Sequence, residues 1–344
     1  MDTQVKAKSN FPHIGKKRRT IRSIMSLFSI FLIIVSTLTV FTPYPVSYLT
    51  RFMFRNGVAV APANYETISS KIETLKDITY PSAYKSNIAD VYLPRDVIAL
   101  YPVVLWVHGG AFVGGDKRDT EIYATSLAAE GYAVVSINYE LAPESKYPSP
   151  VIQMGEAYLW LESVAAKYGF DTGRIVLAGD SGGAHIAAQF AAIQSNSNYA
   201  KEMGIDQLVQ IGKIKAMLLF CAPFDVSAIT ATDSAILNFL MGKLARAYFG
   251  VSNWSELFEY QATISNHLTS KFPPTFISDG NSGSFESHAR VFAEDLRKNS
   301  VEVETYFIPR DFEVTPHEYQ FVMNTVAGAE SFQKTLDFLN NSVF

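Results

Sequence analysis

The chain has 344 residues, 48% hydrophobic and 18% charged, which is enough for one large α/β domain with a well-buried core and short additions. Its formal net charge of −4 is uneven, because seven of the 29 Lys/Arg but only Asp2 of the 33 acids lie before residue 23, leaving 22 basic against 32 acidic residues beyond it. So acidic a body excludes a nucleic-acid footprint, and a single cysteine, Cys221 in an apolar run, excludes an internal disulfide and reads as a core residue.

In chain order, residues 1–23 form a basic tail ending in Lys16, Lys17, Arg18, Arg19 and Arg22. Ile24 to Phe41 carries no charge and is long enough to span a bilayer, for which a helix needs about 17–25 apolar residues. The positive-inside rule keeps the tail cytoplasmic and sends the rest across. Residues 24–42 are therefore expected to be a signal anchor in the lipid bilayer of a single-pass cell-membrane protein, with the body extracytoplasmic. A cleaved signal peptide would have a shorter apolar core, roughly 7–15 residues, followed closely by a small-x-small site. The segment from Thr42 to Tyr48 offers no such site, and Ala59-Val60-Ala61 comes late and precedes Pro62.

Residues 43–75 read as a linker or an N-terminal flap, with a polar stretch of helical character at Glu66–Lys76. From 76 to 344 short apolar runs alternate with longer amphipathic ones. Val103–Val107, Ala133–Ile137, Ile175–Ala178, Ile214–Phe220, Thr275–Ser278 and Val301–Ile308 are predicted strands. Predicted helices are Thr120–Glu130, Val151–Tyr168, Gly183–Gln194, Phe285–Lys298 and Ala327–Leu339. Such alternation implies a mostly parallel central sheet covered by helices on both faces. The stretch of about 226–268, with a helical segment at Ser234–Phe249, is too long for a simple crossover and is expected to be a cap.

The strand Ile175–Ala178 runs into Gly179-Asp180-Ser181-Gly182-Gly183 and then an Ala-rich helix. This is a G-x-S-x-G at a strand-to-helix turn, the context of a nucleophile elbow. The glycines let the backbone double back so that the Ser181 hydroxyl stands clear, and the helix N-terminus behind it favours developing negative charge. The strand Val103–Val107 ends in His108-Gly109-Gly110-Ala111-Phe112, an HGG sequence of the kind that supplies further oxyanion donors. Backbone N–H groups of Gly109, Gly110 and Gly182 are expected to converge on a carbonyl oxygen, with His108 as a structural brace. A base must follow later in the chain, and His317 stands between the last strand and the last helix, where the order of this fold puts it. His13, His185, His267 and His288 have no comparable placement and read as structural or solvated. No His/Cys/Asp cluster has metal-ligand spacing.

HGGAF (108–112), NYELAPESKYP (138–148), GDSGGAHIA (179–187), PPTFISDGN (273–281) and HEYQF (317–321) together resemble the hormone-sensitive-lipase-like and BD-FAE-like esterases, over roughly 90–339. HGGAFVGGDK leans towards the second group. The resemblance implies an α/β-hydrolase fold with a helical cap and a serine esterase or deacetylase. Ser181 would be its nucleophile, His317 its base, Gly109, Gly110 and Gly182 its oxyanion residues, and Asp180 a structural elbow residue. No cofactor is implied; the expected substrate is a small-molecule or glycan-borne ester.

One departure bears on the mechanism. In that family the acid usually stands three residues after the glycine that ends the seventh strand, and here Gly283 occupies that position. A relocated carboxylate is expected, with Asp279 the first candidate, Glu286 the second, and Asp225 and Asp311 behind them. The missing acid also raises an alternative, a non-catalytic binding or adhesion module on a hydrolase scaffold. The serine, histidine and oxyanion glycines, which a binding surface does not need, weigh against it.

Overall fold

The computed structural model describes residues 13–95, 100–230, 235–250 and 256–344. Most of the expected basic tail (1–12), and parts of the expected cap (231–234 and 251–255), lie outside these residues. The chain falls into two units, residues 1–45 and 46–344. In the first, helix α1 (His13–Phe41) contains a 22-residue stretch, Thr20–Phe41, long and apolar enough to cross a membrane.

The second unit is built on one sheet. Strands β1 (Ile72–Thr79), β2 (Ile88–Pro94), β3 (Tyr101–Val107), β4 (Ala133–Ile137), β5 (Phe170–Asp180), β6 (Ile214–Phe220), β7 (Thr275–Asp279) and β8 (Val303–Phe307) pair in the order β1-β2-β4-β3-β5-β6-β7-β8. The β1/β2 and β2/β4 pairs are antiparallel and the other five are parallel. This is the mostly parallel sheet of an α/β-hydrolase. Every residue of β3, β4 and β7 is buried, because helices cover both faces. On one face Val103, Leu105 and Val107 pack with helices α2 (Ser149–Ser163), α3 (Ser181–Ser195) and α4 (Glu286–Lys298). On the other, Val104 and Trp106 pack with α5 (Val326–Val343) and the helix Glu121–Ala129.

The polar stretch at Glu66–Lys76 divides, contrary to its helical reading: a short helix, Tyr65–Ser70, ends and β1 begins at Ile72. The sheet therefore starts inside the expected linker. β1 is an edge strand with most of its side chains in contact with water, so it needs few apolar residues and leaves a weak sequence signal.

Lys117, at the end of HGGAFVGGDK, ties this edge to the centre. Its side chain is 2% exposed, and Nζ lies 2.8 Å from both the Asp77 and the buried Asp90 carboxylates. Removing one partner of a buried ion pair leaves an uncompensated charge. Lys117→Met is therefore expected to lower the unfolding free energy by about 3–5 kcal/mol, read from the urea midpoint by circular dichroism.

Candidate active site

The parallel strands β3 and β5 end side by side, with Val107 opposite Gly179. Asp180 closes β5 and Ser181 opens α3 with φ +48°, a left-handed conformation costly for a non-glycine residue. The surrounding glycines explain how the turn fits. A Cβ on Gly183 would stand 2.1 Å from the Val107 oxygen and 2.4 Å from the His108 oxygen, and one on Gly179 would stand 2.5 Å from the Gly183 carbonyl carbon. Only at glycine can the elbow lie directly on the end of β3.

Buried Asp180 accepts the Trp106 indole N–H at 2.8 Å and the Gly109 N–H at 2.7 Å. This corrects one expectation: Gly109 does not point its N–H into the site. That donor is committed to a carboxylate, and Gly109 braces the elbow. Gly110, Ala111 and Gly182 line the cavity next to Ser181, and the Gly182 N–H belongs to the first helical turn, whose donors have no intrahelical acceptor. His108 acts within the scaffold as expected: Nδ1 reaches the Gly109 oxygen at 2.7 Å, the ring stacks on Tyr139, and burial pulls the imidazole down to about 4.

His317 lies in the segment after β8, and its Nε2 stands 3.1 Å from Ser181 Oγ. Loss of water around the ring holds the imidazole down to about 4, so it is neutral throughout the neutral pH range. On its other side, Nδ1 is 2.7 Å from Ser284 Oγ, and Ser284 in turn donates to Asp279 Oδ1. Asp279, fully buried at the end of β7, has its carboxyl pushed up to about 7 by burial, partly offset by the Ser284 hydrogen bond. The loop that carries Ser284 is pinned by Asn281, whose side chain bonds the Ile308 oxygen at 2.9 Å, the Glu313 oxygen at 2.7 Å and the Thr315 N–H at 3.0 Å. Gly280 allows this approach, because a Cβ there would meet the Pro316 oxygen at 2.1 Å.

The other carboxylate candidates lie elsewhere. Glu286 pairs with Arg290 at 2.6 Å, Asp225 accepts the Ser227 N–H and hydroxyl, and Asp311 is exposed. His185 and His267 bond the oxygens of Ala262 and Tyr260, whereas His288, read as structural or solvated, forms part of the cavity wall. Two site residues carried no sequence signal. Ser284 adjoins the position where only a carboxylate was sought. Glu318, at φ +60°, has Oε1 3.8 Å from His317 Nε2, and burial, then the neighbouring Asp180, pushes its carboxyl well above the usual range.

Among the described residues, one trio of potential metal ligands comes together, Cys221, Asp279 and His317, with donor atoms within 4.8 Å of one another. His317 Nδ1 already has Ser284 as partner, and burial pushes the Cys221 thiol up, which keeps it protonated. The donor set is thus poorly suited to a cation. The cavity beside Ser181 has a volume of about 620 Å³ and runs under helix α6 (Ala235–Phe249), between Phe112, Val226, Leu244 and Phe285. Phe112 of the HGG loop stacks on Tyr248 of that helix with ring centroids 4.0 Å apart.

A serine and a neutral histidine in contact, at a strand-to-helix turn of a mostly parallel sheet, place the molecule among the α/β-hydrolases. Residues 89–289 match the BD-FAE family, and the chain belongs to that family. Esterase LipQ of Mycobacterium tuberculosis is 28% identical over 226 residues, which covers 64% of this chain and 52% of LipQ. Carboxylesterase NlhH of the same organism is 34% identical over 150 residues, 41% of this chain and 47% of NlhH. The chain thus spans about half the length of these relatives. In structure it resembles esterase B from Lactobacillus rhamnosis, with a TM-score of 0.71 at 17% identity over 96% of this chain and 97% of that one. The esterase from Pyrobaculum calidifontis gives 0.66 at 23% identity over 87% and 94%.

Two glycine substitutions separate the elbow from the neighbouring loop. Gly183→Ala drives a Cβ into backbone and is expected to cost on the order of 3 kcal/mol or more. Gly283→Ala meets no atom within 4 Å and carries only the left-handed penalty, about 1–2 kcal/mol. Thermal unfolding of both variants, scanned side by side, checks the order.

Proposed function

We propose that this chain is a serine carboxylic-ester hydrolase. The observation that carries the reading is the 3.1 Å contact between Ser181 Oγ and the neutral His317 Nε2, at the mouth of a cavity lined by oxyanion-type glycines. His317 takes the hydroxyl proton as Ser181 attacks the ester carbonyl. The Gly110 and Gly182 N–H groups receive the developing oxyanion, each such donor contributing about 10²–10³ in rate. Collapse of the tetrahedral intermediate leaves an acyl group on Ser181, and the proton on Nε2 passes to the departing alcohol. Water then repeats the sequence and frees the acid. Asp279, not Glu286, is the carboxylate behind the base.

The cavity favours a neutral, apolar acyl group, since none of its described lining residues is Lys or Arg and its walls include Phe54, Phe112, Leu244 and Phe249. A pure binding role would leave the contact between Ser181 and His317 without purpose. The names of the curated relatives, an esterase and a carboxylesterase, point the same way. Ser181→Ala is expected to abolish both hydrolysis of p-nitrophenyl esters and labelling by a fluorophosphonate, while circular dichroism stays unchanged. Wild-type labelling in that variant would assign the nucleophile elsewhere.

The location follows from α1. We infer that residues 24–42 are retained as a membrane anchor, with residues 16–22 on the cytoplasmic side and the hydrolase body outside. The support is the length of the apolar helix together with its basic flank. Terminal sequencing of the purified membrane form is expected to find a start before residue 24. A mature N-terminus beyond residue 42 would instead make the helix a signal peptide.

A further inference from the structure

We propose that Ser284 is a positioning residue that links Asp279 to His317 and so sets which ring nitrogen carries the proton. The inference rests on the esterase reading above. The Ser284 hydroxyl has one hydrogen and two partners, Asp279 Oδ1 and His317 Nδ1. A carboxylate can only accept. While Asp279 is ionised, the hydroxyl hydrogen goes to Asp279, so the hydroxyl oxygen must accept from Nδ1–H. The Nε2 lone pair then faces Ser181, as a general base requires. During attack the proton moves from Ser181 Oγ to Nε2, the Nδ1 proton stays in place, and the buried negative charge of Asp279 stabilises the imidazolium through the intervening hydroxyl.

Protonation of Asp279 reverses the chain. A carboxyl O–H can donate to Ser284, whose own hydrogen then turns to Nδ1 and leaves the ring proton on Nε2, facing the nucleophile. This tautomer cannot act as a base. The groups around Asp279 do not titrate in its place: burial keeps the Cys221 thiol protonated, the Tyr319 phenol is pushed up to about 12, and the imidazole itself lies at about 4. Glu318, whose carboxyl burial and then Asp180 push well up, stands 3.8 Å from Nε2, not beside the Nδ1 that meets Ser284. The loop is built for the link. Asn281 fixes it on three sides, and Gly283 has an open, left-handed backbone that brings the next residue round to the imidazole.

The experiment measures the rate of Ser181 labelling by a fluorophosphonate, together with kcat and KM on a p-nitrophenyl ester, from pH 5 to 9. The full chain is compared with Ser284→Ala, Ser284→Thr, Asp279→Asn and the Ser284→Ala/Asp279→Asn double variant. Wild type is expected to gain activity as pH rises through about 7, where Asp279 loses its proton. Ser284→Ala and Asp279→Asn should each lower kcat by about 10²–10⁴-fold, by analogy with loss of a tautomer-fixing group, with KM little changed and the rise near pH 7 gone. The double variant should be no slower than the worse single one, since both remove the same link. Ser284→Thr, which keeps the hydroxyl, should retain most of the rate and the rise.

Ser284→Ala within threefold of wild type, with an unchanged pH profile, overturns the proposal. So do losses that multiply in the double variant, or a Ser284→Thr variant as slow as Ser284→Ala while folded. Should Ser284→Ala fail to fold, Asp279→Asn and Ser284→Thr decide by the same criteria. These outcomes are distinct from failure of the esterase reading, which shows as labelling and hydrolysis that survive Ser181→Ala.

Discussion

The site depends on one close contact, where the elbow after β5 lies directly on the carbonyl oxygens that end β3. The room exists only because residue 183 has no side chain, since a Cβ there would stand 2.1 Å from the Val107 oxygen. The contact brings the HGG loop beside the first turn of α3, so the donors around Gly110 and Gly182 fall next to Ser181 without further adjustment. Asp180 then fixes the arrangement by holding Trp106 and the Gly109 backbone, one from within β3 and one from just beyond it. Because both faces of the central strands are buried, this geometry has little freedom to relax.

Much of this was legible in the sequence, for reasons specific to particular residues. β4 and β6 fall at Ala133–Ile137 and Ile214–Phe220, as their mostly apolar runs predict. Gly179 to Gly183 and His108 to Phe112 stand at strand ends where their chemistry requires. The edge of the sheet was not legible, because a half-solvated strand such as Ile72–Thr79 has no need of an apolar pattern. Gly109 was misread for a different reason. The motif shows which residues gather near an oxyanion but not which N–H a neighbouring carboxylate has already engaged. Ser284 leaves no sequence signal because its contribution is an uncharged hydroxyl, whose role comes from two partners that only the fold brings to it.

Electrostatically the site is unusual in how it holds its acids. Asp180, Asp279 and Glu318 are gathered near one histidine, and no Lys or Arg is among the described cavity-lining residues. Hydrogen bonds do the work of counter-ions. Asp180 accepts from an indole and a backbone amide, Asp279 accepts a hydroxyl on Oδ1, and burial raises all three carboxyls above their ordinary values. A low-dielectric pocket containing fewer charges than carboxyl groups suits an apolar guest, since little hydration must be stripped from the walls when it enters.

Gly283 has a longer consequence. It occupies the position where the resembled family pattern would put an acid, its φ of +63° is one that aspartate tolerates better than most side chains, and a Cβ there would touch nothing within 4 Å. Two of the four glycine codons become aspartate codons by a single nucleotide change. A lineage could therefore pass between a direct carboxylate and a serine-bridged one in a single mutational step, and for a time carry both. The acid is thus the member of the site least fixed by packing, whereas the elbow is held by backbone contacts at Gly179 and Gly183 that no single side-chain change relieves.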